Sequence, residues 1–294
     1  MAKRLEYVQD GKTYNLYDLP DGFVINGNLD LRDRGLTELP DLSKVVVKGF
    51  FDCSENKLTS LKGAPKEVEG HFDCRRNQLT SLQGASRKVG GNFRCSNNEL
   101  TTLEGAPIEV GMGFHCHHNK LTTLKGAPQA LSDDFDCSNN NLTSLRWLPK
   151  KIGGWLMCSD NKLTDLEGSP QTLGGGMDCS YNELTSLAGA PQKTGGNFVC
   201  KHNKLESLFG VPEIPDMCVF HCDIEVGEKY GLDEIPFGVQ LFQLTRSPLY
   251  KSELSAYKIR QKKHEEREKK DAETKAKNKA GFAAFKRQKS EERE

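Results

Sequence analysis

The chain has no long apolar run. Nowhere in its 294 residues does a stretch approach the ~20 apolar residues that cross a bilayer, which leaves out a membrane-spanning helix. Charge of one sign is also lacking. The 41 Lys+Arg balance 41 Asp+Glu, so the chain is neither a uniformly basic nor a uniformly acidic protein, although a balanced total can hide polar halves. Aromatic residues make up 8% of the chain, with two Trp. The first ten residues, MAKRLEYVQD, hold no apolar segment, so no secretory leader is expected and a cytoplasmic, reducing location follows. H-E-x-x-H, a Gly-rich phosphate loop and a nucleophile elbow are all missing. No catalytic residues, no bound metal and no cofactor are therefore expected.

What is present is a repeat. Cys53, Cys74, Cys95, Cys116, Cys137, Cys158, Cys179 and Cys200 recur every 21 residues. Three residues after each stands an Asn, from Asn56 to Asn203, followed by Leu at two further columns, Leu58 to Leu205 and Leu61 to Leu208. Two residues before each Cys stands Phe, Leu or Met: Phe51, Phe72, Phe93, Phe114, Phe135, Leu156, Met177 and Phe198. The unit reads F-x-C-x-x-N-x-L-T-x-L-x-G-A-P, then an apolar residue and Gly-Gly. Residues at i and i+2 share one side of an extended strand. A 21-residue coil cannot bury its own apolar edge, so the coils must stack, pairing short strands in parallel. The Asn column is expected to turn its amide inward, onto backbone groups left unpaired at the corner of the coil. The Gly-Ala-Pro and Gly-Gly segments suit extended, non-helical turns.

This pattern resembles the leucine-rich repeat, with Phe, Cys, Asn and Leu at its L-x-L-x-x-N-x-L positions. It is most similar to the short bacterial-type repeat, and Leu142-Thr143-Ser144-Leu145 with Leu148-Pro149 is the nearest local match. The resemblance covers about residues 29–224. It implies a repeat solenoid of about ten coils, with short parallel β-strands on a concave face and a mostly non-helical convex side. It also implies the setting of bacterial effectors or of phage and mobile-element proteins, so a virion or a host cell is a further expected location. Some such effectors carry a ubiquitin-ligase domain with a catalytic Cys, but no Cys follows Cys222 here. The ends are atypical: Leu29-Asp30-Leu31 has Arg34 where Asn is expected, and Phe220-His221-Cys222 is an imperfect last coil. Residues 1–28 read as an N-terminal cap and 225–250 as a C-terminal cap or linker.

The Cys column suits core packing, because free Cys behaves as a small buried hydrophobe. One thiol per 21 residues lacks the close ligand spacing of a metal site. If Phe and Cys point inward, their neighbours point outward on the concave face. The candidate partner-binding residues there are Asp73, Arg94, His115, His117, Asp134, Asp136, Trp155, Met157, Asp178 and Lys201. His115 and His117 beside Asp134 and Asp136 also have the composition of a divalent-metal site, although solvated strand-face histidines are the favoured reading. Trp155 is the candidate anchor, since Trp is enriched at binding hot spots. Turning edgewise into the core is its alternative.

Residues 251–294 hold 15 Lys+Arg against 9 Asp+Glu, so the neutral total hides an acidic solenoid with a basic tail. Its Ala, Glu, Lys and Arg content predicts a charged, solvated helix. Phe282 and Phe285 form a small apolar patch for docking. The function expected is non-catalytic binding of a protein partner on the concave face. A structural role with the tail docked to a larger assembly is the alternative, and weak nucleic-acid association through the tail comes next. The sequence names no oligomeric state.

Overall fold

The computed structural model describes residues 5–215 and 218–223. The segments expected to form the C-terminal cap and the charged helix, including Phe282 and Phe285, lie outside the described residues. No helix occurs among the described residues, and none is long and apolar enough to cross a membrane.

A hairpin opens the described chain. Strand β1 (Glu6–Gln9) pairs antiparallel with β2 (Lys12–Asn15), turning at Asp10-Gly11, where both residues have positive φ, as the tightest hairpin turns require. Beyond it every strand is two residues long and parallel. A ten-stranded ladder runs from Leu29–Asp30 through Phe51–Asp52 and on at 21-residue steps to Phe198–Val199, ending at Phe220–His221. Each step registers like with like, as in Phe93 against Phe72 and Phe114. This parallel-strand stack fits a leucine-rich-repeat solenoid.

A second ladder was not anticipated from the sequence. Its five-stranded part spans Val24–Ile25 to Glu109–Val110 and its four-stranded part Ala130–Leu131 to Lys193–Thr194. These strands occupy the segment just before each Gly-Gly. The interruption between the parts coincides with Ser132-Asp133, which replace Gly-Gly. At Gly90, Gly111, Gly153, Gly174 and Gly195 an added Cβ would lie 1.9–2.2 Å from the carbonyl oxygen of the preceding coil. Ser132 carries a Cβ in this column, but so do Lys48 and Glu69 within the unbroken part, so the Cβ alone does not account for the interruption. The Ser132 hydroxyl donates to the Gly111 carbonyl.

The core between the ladders is made of identical columns. Phe51, Phe72, Phe93, Phe114 and Phe135 are fully buried. Their rings contact one another with centroids 5.0, 5.1, 5.3 and 5.7 Å apart, within the range of favourable aromatic pairs. The eight periodic cysteines are also fully buried and form no disulfide. Burial pushes their thiols well above the ordinary range, which leaves them inert as nucleophiles.

The Asn column joins the coils. In one repeat, Asn119 Nδ2 donates to the carbonyls of Cys95, Cys116 and His117 at 3.1, 3.0 and 3.4 Å. Its Oδ1 accepts the Leu100 N–H at 3.0 Å. The same set recurs from Asn56 to Asn203. At this size only an amide offers two N–H donors beside a separate carbonyl acceptor. The isosteric Asn119→Asp substitution removes the donors and buries a charge. It should destabilise the chain by about 3 kcal/mol, measured by urea unfolding. A loss below about 1 kcal/mol would contradict a structural role for the column.

Candidate binding face

With Phe and Cys inward, the residue between them faces outward from the ten-stranded ladder. Reading along the coils, this column is Asp30, Asp52, Asp73, Arg94, His115, Asp136, Met157, Asp178, Val199 and His221. The column after Cys adds Ser54, Arg75, Ser96, His117, Ser138, Ser159, Ser180 and Lys201.

The two columns are coupled through a local turn. Asp52 Oδ1 accepts the Ser54 N–H at 2.9 Å and its hydroxyl at 2.6 Å. Asp136 holds Ser138 in the same way, at 3.0 and 2.7 Å, and Asp178 holds Ser180 at 3.0 and 2.6 Å. Asp73 accepts the Arg75 N–H and pairs with its guanidinium, Nη2 to Oδ2 at 2.7 Å. These carboxylates therefore close the strand end of their own coil, satisfying a backbone donor that parallel pairing leaves over. The recurrent Asp-Cys-Ser thus has a structural cause, and these Asp residues keep only part of their acceptor capacity for a partner.

Five coils abandon this arrangement, with Arg94, His115, Met157, Val199 and His221 in the Asp position. In the first, Ser96 loses its acceptor. It is fully buried and its hydroxyl has no hydrogen-bond partner. In the second, His115 and His117 are half-buried. Burial pushes the pKa of both imidazoles below the ordinary value, opposed by the Asp136 carboxylate and reinforced by Arg94 for His115 and by His118 and Arg75 for His117. His117 Nε2 lies 4.0 Å from Asp136 Oδ2 and its Nδ1 3.1 Å from His118 Nδ1. No group of three or more His, Cys, Asp and Glu residues that could hold a metal ion occurs among the described residues.

The column before Phe does a different job. Asp134 Oδ1 accepts the Trp155 N–H at 2.6 Å, and Asn92 Oδ1 the Gly113 N–H at 2.7 Å, each linking one coil to the next. Trp155 is half-buried, and its ring lies over Gly175 and Gly176 of the following coil, where an added Cβ would come within 2.6–2.8 Å of it. It caps a neighbouring turn and leaves part of its ring open. Met157 is half-buried and Lys201 exposed.

The other tryptophan escaped the sequence reading. Trp147 is 62% exposed and stands in the column of Gly63, Gly84, Gly105, Gly126, Gly168, Gly189 and Gly210, whose φ lies between 85° and 99°. Its own φ is 74°, an outlier for a bulky residue. Aligning the Gly-Ala-Pro segments coil by coil would have exposed it.

No protein-family model matches the chain. No curated protein matches it. Among solved structures the chain is similar to YopM from Yersinia enterocolitica WA-314, at 18% identity and a TM-score of 0.32, over 67% of this chain and 65% of that one. The match thus spans under two thirds of the YopM chain, and a likeness this distant carries nothing about function.

Two serines separate the structural and spare parts of this face. Ser138→Ala removes a hydroxyl bound to a carboxylate and should destabilise the chain by about 1 kcal/mol. Ser96→Ala removes an orphan and should stabilise it by a similar amount. Equal effects of the two substitutions in urea unfolding would contradict the assignment.

Proposed function

We propose that the solenoid is a non-catalytic protein-interaction module that binds its partner on the concave strand face. The observation that supports this is internal to the chain. The inward columns repeat Phe, Cys, Asn and Leu almost without change, because close packing and the Asn bonds leave no freedom there. The outward column, at the same geometry, changes from coil to coil through Asp, Arg, His, Met and Val. Coils that need no particular residue outward yet depart from a self-satisfying Asp-Cys-Ser turn do so at Arg94, His115, Met157, Val199 and His221. The half-open ring of Trp155 lies beside Met157 and makes an apolar anchor at the middle of the row. Asp134, Asp136 and Asp178 shape the field around it and Lys201 closes it on one side, while Asp73, buried and paired with Arg75, lies four coils away. The partner belongs to a host or a virion under the phage or effector reading that the repeat type implies.

The test is capture of binding partners from the native source by full-length chain and by variants. Trp155→Ala, or Asp136→Lys with Asp178→Lys, should each lower retention at least tenfold, while circular dichroism stays unchanged. Undiminished retention by both variants would reject the concave face. Retention lost on removal of residues 251–294 would move recognition to the tail, and retention lost on nuclease treatment would favour nucleic-acid association.

A further inference from the structure

Arg94 is the exception around which the strand face is arranged. Arg32 pairs with Asp30 and Arg75 with Asp73, whereas the half-buried Arg94 guanidinium has no ion-pair or hydrogen-bond partner among the described residues. Two residues on, the Ser96 hydroxyl is fully buried and unpartnered. In the coils of Asp52, Asp136 and Asp178 the equivalent hydroxyl points at the outward carboxylate, 2.6–2.7 Å away. This coil therefore keeps the donor, replaces the carboxylate with a cation, and lacks one oxyanion.

From this the geometry points to an oxyanion-recognition site at Arg94 and Ser96, filled by a carboxylate or phosphoryl group on a protein segment whose flanking residues are cationic. A planar guanidinium matches either group with two parallel bonds. Pairing with a ligand draws the Arg94 side chain outward, toward the place where the Asp carboxylates of other coils meet their serines. The ligand oxygen then supplies the acceptor that Ser96 lacks. The flanks decide the partner's class. Asp73, one coil away and in register with Arg94, is buried and neutralised by Arg75, whereas Asp52 and Asp136 stand two coils away on either side, each with its second carboxylate oxygen free of the serine bond. At about 4.8 Å per coil this places negative charge about 10 Å from the site in both directions along the stack. A polyanion such as nucleic acid meets repulsion at both flanks. An extended segment advances about 3.3 Å per residue and turns every second side chain to the same face, so lysines two positions before and after the central acid lie on its side, and their long side chains span the remaining few ångströms to both aspartates.

This site deepens the concave-face reading and rests on it for its partner, but its test needs no native partner. The probe is a labelled nine-residue peptide with Glu at its centre, Lys two positions to either side and Ser elsewhere, titrated into the full chain at low salt. Two further peptides carry phosphoserine or Gln at the centre, which distinguishes the phosphoryl from the carboxylate source. The Glu or phosphoserine peptide should bind at least tenfold more tightly than the Gln peptide, and Arg94→Asp should abolish that difference. The same substitution restores an Asp-Cys-Ser turn, so its melting temperature should equal or exceed that of the unaltered chain. Arg94→Gln provides a second variant with the charge merely removed. Binding unaffected by both variants overturns the site while leaving the concave-face reading standing. Tighter, Arg94-dependent binding of a single-stranded oligonucleotide overturns the partner class. Failure of the face variants to lose native partners counts against the function alone, whatever the peptides do.

Discussion

One side-chain amide per coil holds the structure together. Each Asn donates to a carbonyl in its own strand and to one in the coil before, and accepts a leucine N–H from that same coil, as Asn77 does with Cys74, Cys53 and Leu58. A two-residue strand makes too few ladder bonds to fix a chain by itself. The amide extends the ladder around the corner, where a turning backbone would otherwise bury unpaired groups. The period follows from this, because an insertion in any coil would carry its Asn away from the carbonyl it serves. The 22-residue first step is tolerated where Arg34 replaces Asn, and there the backbone of Arg34 and Leu36 is met by Asn56 from the next coil.

Once the corner is fixed, the remaining columns fall into place. Phe, Cys and the two leucines fill the interior at a spacing that lets rings touch ring to ring, and glycine occupies the turn where the preceding carbonyl leaves no room for a Cβ. Where these columns fail, local geometry changes. The second ladder is interrupted where Ser132-Asp133 stand, and Trp147 is held in a left-handed conformation. Ser169, in the column that elsewhere carries Ala64, Ala106 and Ala190, keeps a buried hydroxyl without a partner. Departures run along the stack from Arg94 to Val199, and Ser132, Met157 and both tryptophans fall in one stretch of it. Violations of a repeat's own rule mark the places where something besides folding shaped the sequence.

The period, the inward columns and the inward asparagine amide were legible because each is a single residue type at constant spacing. The second ladder was hidden, since an apolar residue before Gly-Gly reads as a turn until stacked coils bring two such segments side by side. The face was legible only in part. Alternation about Phe and Cys placed Asp136 and Asp178 outward, but the bonds from their serines depend on strand-end geometry that spacing does not reveal. Asp134 looked like a surface acid, yet its carboxylate receives the Trp155 amide of the next coil. Ser96 looked like its fellow serines, and its isolation follows only from seeing that Arg94 cannot accept its proton.

The dependence of the solenoid on its asparagine bonds is tested most directly by hydrogen exchange at the backbone amides of Leu58, Leu79, Leu100, Leu121, Leu142 and Leu163. Each donates to an Asn Oδ1 of the following coil and to no strand neighbour. These amides should be as strongly protected as the ladder amides of Cys74, Cys95 and Cys116, because side-chain and strand bonds would then open in one cooperative event. Exchange of the leucine amides at rates close to those of solvent-exposed turns, with the cysteine amides still protected, would show the strands holding without them and would contradict the account.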